Sequence, residues 1–344
     1  MKALVKTKPG VGNVEVLNVP EPACRAGCVK IEVAFTGICG TDLHIYHDTF
    51  KNDPPVIMGH EFSGIVAEVG EGVTRYKKGD RVTVLPSTAV TCGACSYCKT
   101  GYYMFCPERR GMGHGVDGSF TKYVVVREDM VYQLPDSVTL EEAAMAEPLA
   151  CAVQALEELT RIHAGDVVLL SGPGPIGLLC LALLTAKGCR VIVAGTDADE
   201  ARLELSARLG ADAAVNVSKD DLQAIVQRET GGMGVDVAIE CAGAGPSIAS
   251  CLKALKKQGR YIQVGIVGKE VVLDFDTVLY KQLQVVGSLA HSMQTWDRVM
   301  NLLHQGKINL APLITHVFPL SDWQTAFQLC EQKKGGKVLV RYDE

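Results

Sequence analysis

The sequence lacks the long apolar run, the basic excess and the internal repeats that mark several classes of protein. Its longest apolar candidate, Ile176–Ala186, is shorter than the roughly 18 residues that a membrane-spanning helix needs. Lysine and arginine are spread thinly beside acids, and the formal net charge is −5, so no basic face for nucleic acid is indicated. We therefore expect no membrane partner and no nucleic-acid partner.

A leader peptide is also not evident, because Met1–Val5 runs straight into strand-like sequence. The expected setting is the reducing cytoplasm, where disulfides are rare. Most of the 13 cysteines stand alone in apolar surroundings, as Cys180 and Cys251 do, and are interpreted as small buried hydrophobes. The cluster between Cys92 and Cys106 needs another explanation.

Length and composition indicate a globular protein of two domains. The chain has 344 residues, of which 47% are hydrophobic and 21% charged. Short strands broken by glycine and proline turns fill the first 150 residues, and Val29–Val33 and Arg81–Leu85 alternate between apolar and polar positions. This pattern predicts a small, partly open β-barrel-like domain over residues 1–150.

Strands and helices alternate in the following region. Apolar strands are predicted at Asp166–Ser171, Arg190–Ala194, Val235–Glu240 and Arg260–Gly265, with helices at Ile176–Lys187, Glu200–Leu209 and Ser247–Lys256. Apolar strands separated by helices predict an α/β domain with a doubly wound parallel sheet, here over residues 151–288. The remaining residues, 289–344, contain a predicted helix at Thr295–His304, and the pattern leaves open which domain they complete.

The most specific local pattern is a group of four cysteines, Cys92, Cys95, Cys98 and Cys106. Four thiolates at these separations can surround one tetrahedral zinc ion. Four free surface thiols are the alternative, which such a density of cysteine in a reduced chain disfavours. Since four thiolates leave no ligand position open, the predicted zinc is structural and stabilises the lobe 92–106.

A glycine-rich turn, GPGPIG at Gly172–Gly177, follows an apolar strand and opens a helix. Gly172 allows the tight turn, Gly174 lets the backbone approach a pyrophosphate, and Gly177 lets the helix pack on the strand. The helix N-terminus supplies amide donors for the phosphates. A purely structural turn is the alternative, but the strand–turn–helix context favours a dinucleotide cofactor.

The choice between NAD and NADP depends on the end of the second strand of this domain. An acid there takes the ribose hydroxyls and repels a 2′-phosphate. Gly195 holds that position, Thr196 and Asp197 follow it, and no arginine stands beside Asp197 to receive a phosphate. We expect NAD, and NADP is not excluded.

Three further stretches offer metal ligands from distant parts of the sequence. Cys39 lies in GICGTDLH, His60 in GHEFSG and Glu147 in AEPLA. Each has an ordinary explanation when taken singly: a buried thiol, a core histidine, a helix-start acid. Together they would hold zinc with a fourth position open, as in catalytic zinc sites. Spacing alone leaves both interpretations open.

These stretches closely resemble the zinc-dependent medium-chain dehydrogenase/reductase family. The two ligand stretches, the four-cysteine lobe, AEPLA and GPGPIG occur in the family's order and at its usual separations, over essentially the whole chain. The resemblance implies an N-terminal catalytic domain, a Rossmann domain, and a C-terminal segment, 289–344, that returns to the catalytic domain. Glu147 is similar to the third zinc position of polyol dehydrogenases, sorbitol dehydrogenases among them, because simple alcohol dehydrogenases usually carry cysteine there.

The resemblance also implies roles for individual residues. Glu61 matches a carboxylate that can enter the coordination sphere, Thr41 a residue that contacts the substrate oxygen, and His44 a proton-relay histidine. The implied ligands of the catalytic zinc are Cys39, His60 and Glu147. The predicted cofactor contacts are Gly172, Gly174, Pro175, Ile176, Gly177, Thr196, Asp197 and Val264.

Two departures from the family pattern bear on the substrate. Sorbitol dehydrogenases carry an arginine after the last Rossmann strand that helps to hold the polyol, whereas Gly287–His291 contains none, and His291 is the candidate substitute. Threonine dehydrogenases, which CGTDLHIY and Leu313–His316 also resemble, carry a substrate-binding histidine where this chain has Ala89.

We therefore expect a zinc-dependent enzyme that transfers hydride between a secondary hydroxyl of a small polyol or sugar-like molecule and NAD(P), with one catalytic and one structural zinc per chain. Oxidation of L-threonine at its hydroxyl is the alternative reaction. A catalytically idle nicotinamide-binding protein is the alternative outside enzymes, and a zinc-free quinone reductase would lack both ligand groups. The family also implies a homo-oligomer, either a tetramer or a dimer.

Overall fold

The computed structural model describes residues 1–342, which form two domains built on three β-sheets. The strands are β1 (Lys2–Lys6), β2 (Val14–Asn18), β3 (Cys28–Gly37), β4 (Val56–Ile57), β5 (Glu61–Val69), β6 (Arg81–Val84), β7 (Tyr123–Arg127), β8 (Val131–Gln133), β9 (Val167–Ser171), β10 (Arg190–Gly195), β11 (Ala213–Asn216), β12 (Val235–Glu240), β13 (Leu255–Gln263), β14 (Gln284–Gly287), β15 (Ile314–Pro319) and β16 (Lys337–Arg341).

The helices are distributed through both domains. The α-helices are α1 (Gly40–Tyr46), α2 (Ser96–Lys99), α3 (Leu140–Ala143), α4 (Ala146–Val153), α5 (Pro175–Ala186), α6 (Glu200–Arg208), α7 (Leu222–Glu229), α8 (Gly245–Ala254), α9 (Asp276–Tyr280), α10 (Met293–His304) and α11 (Trp323–Glu331). Short 3₁₀ turns lie at Pro86–Thr88, Tyr103–Phe105, Glu128–Met130, Asp197–Asp199, Ala311–Leu313 and Leu320–Asp322, and a π-helical turn at Gln154–Glu158. No helix within residues 1–342 is long and apolar enough to cross a bilayer.

Two sheets build the N-terminal domain. One has the order β2-β1-β4, and the larger one runs β15-β16-β3-β5-β6-β8, with β7 also paired to β3. The alternation in β3 buries Val29, Ile31 and Val33 against Phe62 and Val82. This packing fixes the strand ends that precede and follow the candidate metal ligands.

The C-terminal part of the chain joins the larger sheet. Strand β16 pairs antiparallel with β3, Leu339 opposite Gly37 and Val340 opposite Thr36. The sequence pattern leaves open which domain residues 289–344 complete, and the pairing of β16 with β3 joins them to the N-terminal domain. The domain boundaries at 150 and 288 stay predictions, and residues 343–344 of the segment 289–344 lie outside the described residues.

A six-stranded parallel sheet forms the second domain, in the order β11-β10-β9-β12-β13-β14. This is the doubly wound Rossmann arrangement, in which ligands bind beyond the carboxyl ends of the strands where the strand order reverses. The reversal here lies between β9 and β12. The α/β prediction of a barrel-like domain plus a Rossmann domain is confirmed.

Helix α4 packs against both domains and against the C-terminal segment 289–344. Its residues Ala146 and Leu149 share one buried apolar cluster with Leu178 of α5 and with Trp296 and Val299 of α10. Glu147, in the first turn of α4, is therefore held at the junction of three parts of the chain. Close packing on these sides leaves its carboxylate little freedom to move.

Candidate active site

A cavity of about 630 Å³ lies between the N-terminal domain and the carboxyl ends of the Rossmann strands. Residues from both domains border it. The predicted site residues among them are Cys39, Thr41, His60, Glu61, Glu147, Ile176 and Val264. The fold thus places the predicted metal side and the predicted cofactor side against one space.

The metal side begins with three residues whose ligand atoms lie within 4.8 Å of one another, Cys39, His60 and Glu61. Cys39 is the N-cap of α1, and its amide donates to Asp42 Oδ2 at 2.9 Å. His60 immediately precedes β5, whose first residue is Glu61. A helix start and a strand start therefore bring these side chains together.

The carboxylate of Asp42 lies behind the imidazole of His60, a placement that the sequence analysis missed. The fully buried Asp42 Oδ1 faces His60 Nδ1 at 3.7 Å, and neither atom has a hydrogen-bond partner within residues 1–342. Burial raises the pKa of Asp42, and the neighbouring His60 opposes that rise. With Nδ1 turned to the carboxylate, Nε2 is the nitrogen available to a metal. The position of Asp42 three residues after Cys39 was the available signal.

Glu61 has a buried cationic partner that the sequence analysis also missed. Lys337, the first residue of β16, forms an ion pair with the Glu61 carboxylate and donates from Nζ to the Ile38 carbonyl at 3.0 Å. Burial raises the pKa of Glu61, and Lys337 opposes that rise. No local pattern marks Lys337, because its partner lies on a strand from the other end of the chain.

Glu147 belongs to a second group, with Cys151 and His291, whose ligand atoms also lie within 4.8 Å of one another. His291 Nε2 lies 3.2 Å from Glu147 Oε1, and Nδ1 of the same ring lies 3.5 Å from the Tyr103 hydroxyl. Burial raises the pKa of Glu147, but the hydrogen bond and charge of His291 outweigh it, so the net shift is downward. Glu147 is thus an ionised carboxylate that faces the cavity, and its place in one ligand set with Cys39 and His60 stays a prediction.

The donor chemistry around the cavity suits a catalytic zinc ion. Thiolate, imidazole and carboxylate are its usual ligands, and a site with three protein ligands keeps one position for water or substrate. The Asp42 carboxylate behind His60 is the kind of second contact that fixes a ligating imidazole. The residues present therefore fit the metal.

The four-cysteine lobe has the geometry of a closed zinc site. The four sulfurs lie within 4.8 Å of one another, and Cys92 Sγ and Cys98 Sγ are 3.9 Å apart. Zn–S bonds of about 2.3 Å in a tetrahedron require a sulfur separation of roughly 3.8 Å. Backbone N–H groups of Ala94 and Cys95 lower the pKa of the Cys92 thiol to about 7, whereas burial and the neighbouring cysteines raise the pKa of the Cys98 thiol to about 12. All 13 cysteines are free thiols.

The predicted proton path divides between the cavity and the surface. Thr41 borders the cavity at the start of α1. His44 does not border it; the side chain is exposed, and Nδ1 lies 3.0 Å from the Thr49 hydroxyl. Because residues three apart share a helix face, the two side chains project from the same side of α1.

The glycine-rich turn meets its steric requirements. Gly172 has φ +96°, and a Cβ there would lie 2.5 Å from the Ala242 nitrogen. A Cβ on Gly177 would overlap the Gly172 carbonyl oxygen. Gly174 is the N-cap of α5, and Pro175 is its first residue. The turn therefore keeps the α5 N-terminus open to a ligand, as a bound pyrophosphate requires.

Thr196 and Asp197 lie at the carboxyl end of β10 and do not border the cavity. Thr196 Oγ1 donates to Asp199 Oδ2 at 2.9 Å, which fixes the turn after the strand. The Asp197 carboxylate is 64% exposed, accepts from Asn216 Nδ2 at 2.8 Å and lies 3.6 Å from Lys219 Nζ. Asp197 is thus accessible at the strand end where a ribose contact is predicted.

Two basic residues that the sequence analysis did not name also border the cavity, Arg109 and His114. Both follow the cysteine lobe in a stretch without a distinctive pattern. Burial lowers the pKa of His114 to about 4, so this ring is neutral near pH 7.

Family models match both domains. An alcohol dehydrogenase GroES-like domain matches residues 25–136, and a zinc-binding dehydrogenase domain matches residues 175–305. Solved structures also match nearly the whole chain, among them the two that follow. A zinc-binding dehydrogenase from Sinorhizobium meliloti bound to NADP has a TM-score of 0.88 and 31% identity over 99% of this chain and 98% of its own. An alcohol dehydrogenase from Escherichia coli complexed with NADH has a TM-score of 0.89 and 31% identity over 99% of each chain.

Curated relatives cover the chain from end to end. It is 41% identical to a sorbitol dehydrogenase of Halalkalibacterium halodurans over 99% of both chains. It is 39% identical to a D-arabitol-phosphate dehydrogenase of Enterococcus avium, over 99% of this chain and 97% of that one. It is 38% identical to an L-threonine 3-dehydrogenase of Pyrococcus horikoshii over 98% of both. The family resemblance is confirmed: the chain belongs to the zinc-binding alcohol dehydrogenases, enzymes that use zinc and a nicotinamide cofactor.

Proposed function

We propose that this enzyme oxidises a secondary hydroxyl of a small polyol or sugar-like substrate and passes the hydride to NAD(P). One observation carries the proposal: a single cavity is bordered by Cys39, His60 and Glu147 and also by Ile176 and Val264 of the cofactor side. A polyol substrate is supported by similarity to proteins named for sorbitol and D-arabitol phosphate.

Cys39, His60 and Glu147 would hold the catalytic zinc, and Glu61 stands beside them as a second carboxylate. When bound, zinc supplies the positive charge that lets an alcohol lose its proton near neutral pH, and the nicotinamide ring accepts the hydride. Lys337 pairs with Glu61 and His291 bonds to Glu147, while the Asp42 carboxylate faces the His60 ring at 3.7 Å. Two of the carboxylates are thus held in advance, and the imidazole has an acid behind it.

The proton of the reacting hydroxyl has a defined receiver. Thr41 borders the cavity and would accept a hydrogen bond from the substrate hydroxyl; as it receives that proton, it would donate its own hydroxyl proton onward, so that it relays a proton without holding an extra one. His44, on the same face of α1 and exposed, would deliver the proton to solvent together with the cofactor ribose. The turn Gly172–Gly177 would hold the pyrophosphate, and Ile176 and Val264 would contact the nicotinamide end of the cofactor.

NAD is the cofactor we propose, with NADP not excluded. The accessible Asp197 carboxylate at the end of β10 can accept hydrogen bonds from ribose hydroxyls and would repel a 2′-phosphate. Gly195 carries no acid at the strand end itself, and Lys219 near Asp197 moderates the repulsion.

L-threonine is the second candidate substrate, which similarity to a threonine dehydrogenase supports. Against it, Ala89 provides no hydrogen-bonding side chain at the position where those enzymes carry a histidine. An idle nicotinamide-binding role would leave Asp42, Lys337 and His291 without a purpose as supports for metal ligands.

A homo-oligomer in the cytoplasm completes the proposal. Strand β14 has no partner on its outer edge within residues 1–342, and Phe275, Tyr280 and Val285 expose apolar surface beside it. Pairing of two such edges would bury this surface in a dimer, and two dimers would give a tetramer. None of the 13 cysteines is in a disulfide, which suits a reducing compartment. The mass of the particle in solution tests the assembly.

The function is tested by following nicotinamide reduction with NAD and NADP in parallel. The panel contains polyols, sugar acids, simple alcohols and L-threonine. We expect turnover of polyols with the higher kcat/KM for NAD. Turnover of L-threonine alone would replace the polyol with the second candidate, and binding of NADH without turnover of any substrate would favour the idle role.

A further inference from the structure

The cavity contains one strong cation that the proposed reaction does not use. Arg109 is the only lysine or arginine among the described residues that border it. Its Nε donates to the Ser87 carbonyl at 3.2 Å, whereas Nη1 and Nη2 have no hydrogen-bond or ion-pair partner within residues 1–342. One edge of the guanidinium is fixed, and the other edge is free to bind a ligand.

The acids that share the cavity are already matched. Glu61 pairs with Lys337, and Glu147 pairs with His291. Arg109 itself is half-buried, and burial lowers the pKa of its guanidinium while Glu147 opposes that fall. A partly desolvated cation that has no acidic partner is stabilised more by an anionic ligand than a cation already in an ion pair would be.

Arg109 borders the cavity from the N-terminal domain, away from the turn proposed for the cofactor phosphates. The cofactor phosphates are assigned to the α5 N-terminus in the Rossmann domain, whereas Arg109 belongs to the segment after the cysteine lobe in the N-terminal domain. The other candidate base, His114, is kept neutral by burial. The free charge therefore faces the substrate and not the cofactor phosphates.

We propose that Arg109 binds an anionic group of the substrate, and that the preferred substrate is a phosphate monoester of a polyol. The guanidinium offers paired N–H donors in the planar arrangement that matches phosphate oxygens. This inference rests on the proposed function, because the same cavity must hold the reacting hydroxyl at Cys39, His60 and Glu147. The substrate hydroxyl would bind beside Cys39, His60 and Glu147, and its phosphate would bind at Arg109 in the same cavity.

The test compares sorbitol with sorbitol 6-phosphate in steady-state kinetics on the wild type, Arg109→Gln and Arg109→Lys. Loss of a charge-assisted hydrogen bond predicts that Arg109→Gln lowers the phosphate-to-free ratio of kcat/KM by about 10- to 100-fold, chiefly through KM. Arg109→Lys keeps the charge and retains part of the ratio. Arg110→Gln is the matched control, because Arg110 lies 3.7 Å from Asp53, away from the cavity, and should leave the ratio unchanged.

A binding measurement separates this inference from the proposed reaction. Calorimetric titration of sorbitol 6-phosphate into the cofactor-loaded enzyme should show at least about 10-fold weaker binding to Arg109→Gln than to wild type, even where turnover is absent. Equal affinity of both proteins, or a wild-type preference for the free polyol, overturns the inference and leaves the polyol reaction standing. A sugar acid preferred over the phosphate with the same dependence on Arg109 overturns the assignment to phosphate. If the wild type turns over no polyol, free or phosphorylated, the proposed function is wrong, while the binding measurement still decides the role of Arg109.

Discussion

At the scale of single residues, Glu147 connects the metal side of the cavity to the tail of the chain. Its carboxylate is partly buried at the junction and bonded to His291. That ring in turn contacts Tyr103 and packs on Trp296 at a ring distance of 5.3 Å. His291 takes the stretch where sorbitol dehydrogenases carry a substrate-binding arginine. Because His291 contacts Glu147, we expect it to position this candidate metal ligand. We do not expect it to replace the arginine by contacting the polyol directly.

Replacement of Glu147 by alanine tests its place in the ligand set. We expect Glu147→Ala to bind NADH with wild-type affinity and to lose about 100-fold or more in kcat, because a catalytic metal contributes several kcal/mol of charge stabilisation. Fluorescence titration with NADH and steady-state rates measure the two effects. The control is Glu204→Ala on the exposed face of α6, which should keep both values. Full activity in Glu147→Ala would remove Glu147 from the set.

Part of the candidate site was predictable residue by residue. Cys39 and His60 each sit at an element terminus that their own motif marks, and the structure brings their ligand atoms together. Lys337 and Arg109 could not be predicted, because each acts through the fold on residues distant in sequence. Asp42 lies in the same motif as Cys39 but received no role, because only the fold shows that its buried carboxylate faces His60.

At the scale of elements, the regular Rossmann pieces follow their patterns closely. The predicted strand Val235–Glu240 matches β12, and the predicted helix Ile176–Lys187 differs from α5 by one residue at each end. The helical spacing and good helix formers of Glu141–Thr160 predict one long helix, whereas the structure has α3, α4 and a π-helical turn over this stretch. A capping box of Thr139 and Glu142 starts α3, which ends at Ala143. Helix α4 begins at Ala146 and packs between the domains.

Helix α7 was missed although its start carries a local signal. Asp221 Oδ1 accepts from the amides of Gln223 and Ala224 at 2.9 and 3.1 Å, the usual N-cap arrangement. Leu222, Ile225 and Val226 follow helical spacing, but they are few in a polar stretch, and the sequence analysis assigned no element there. The Asp221 cap, taken together with these three apolar positions, would have predicted the helix.

The cysteine lobe gives a prediction at this scale. Cys95→Ser should lose one zinc and lower the midpoint of thermal unfolding by about 5 °C or more, because the lobe is held by the metal. The kcat of the protein that stays folded should remain near wild type. Calorimetry, metal analysis and rates per folded chain check these three points. The control is Cys24→Ser, outside the lobe, and an unchanged midpoint with lost chemistry in Cys95→Ser would contradict a structural role.

At the scale of the whole molecule, the enzyme is organised around the space between its two domains. Cys39, His60 and Arg109 belong to the N-terminal domain, the predicted cofactor turn to the Rossmann domain, and Glu147 to the helix that packs on both. The C-terminal segment adds Lys337 beside Glu61 and His291 beside Glu147, so it contacts two of the candidate carboxylates. Domain class was predictable because it depends on local periodicity, whereas substrate choice depends on cavity residues gathered from many segments.

The most direct test of the account is the zinc content of the purified enzyme, measured together with polyol turnover before and after mild chelation. We expect two zinc ions per chain, loss of one with loss of turnover while the fold is kept, and recovery of both on return of zinc. A single zinc per chain with full turnover, or turnover that survives removal of all zinc, would contradict it.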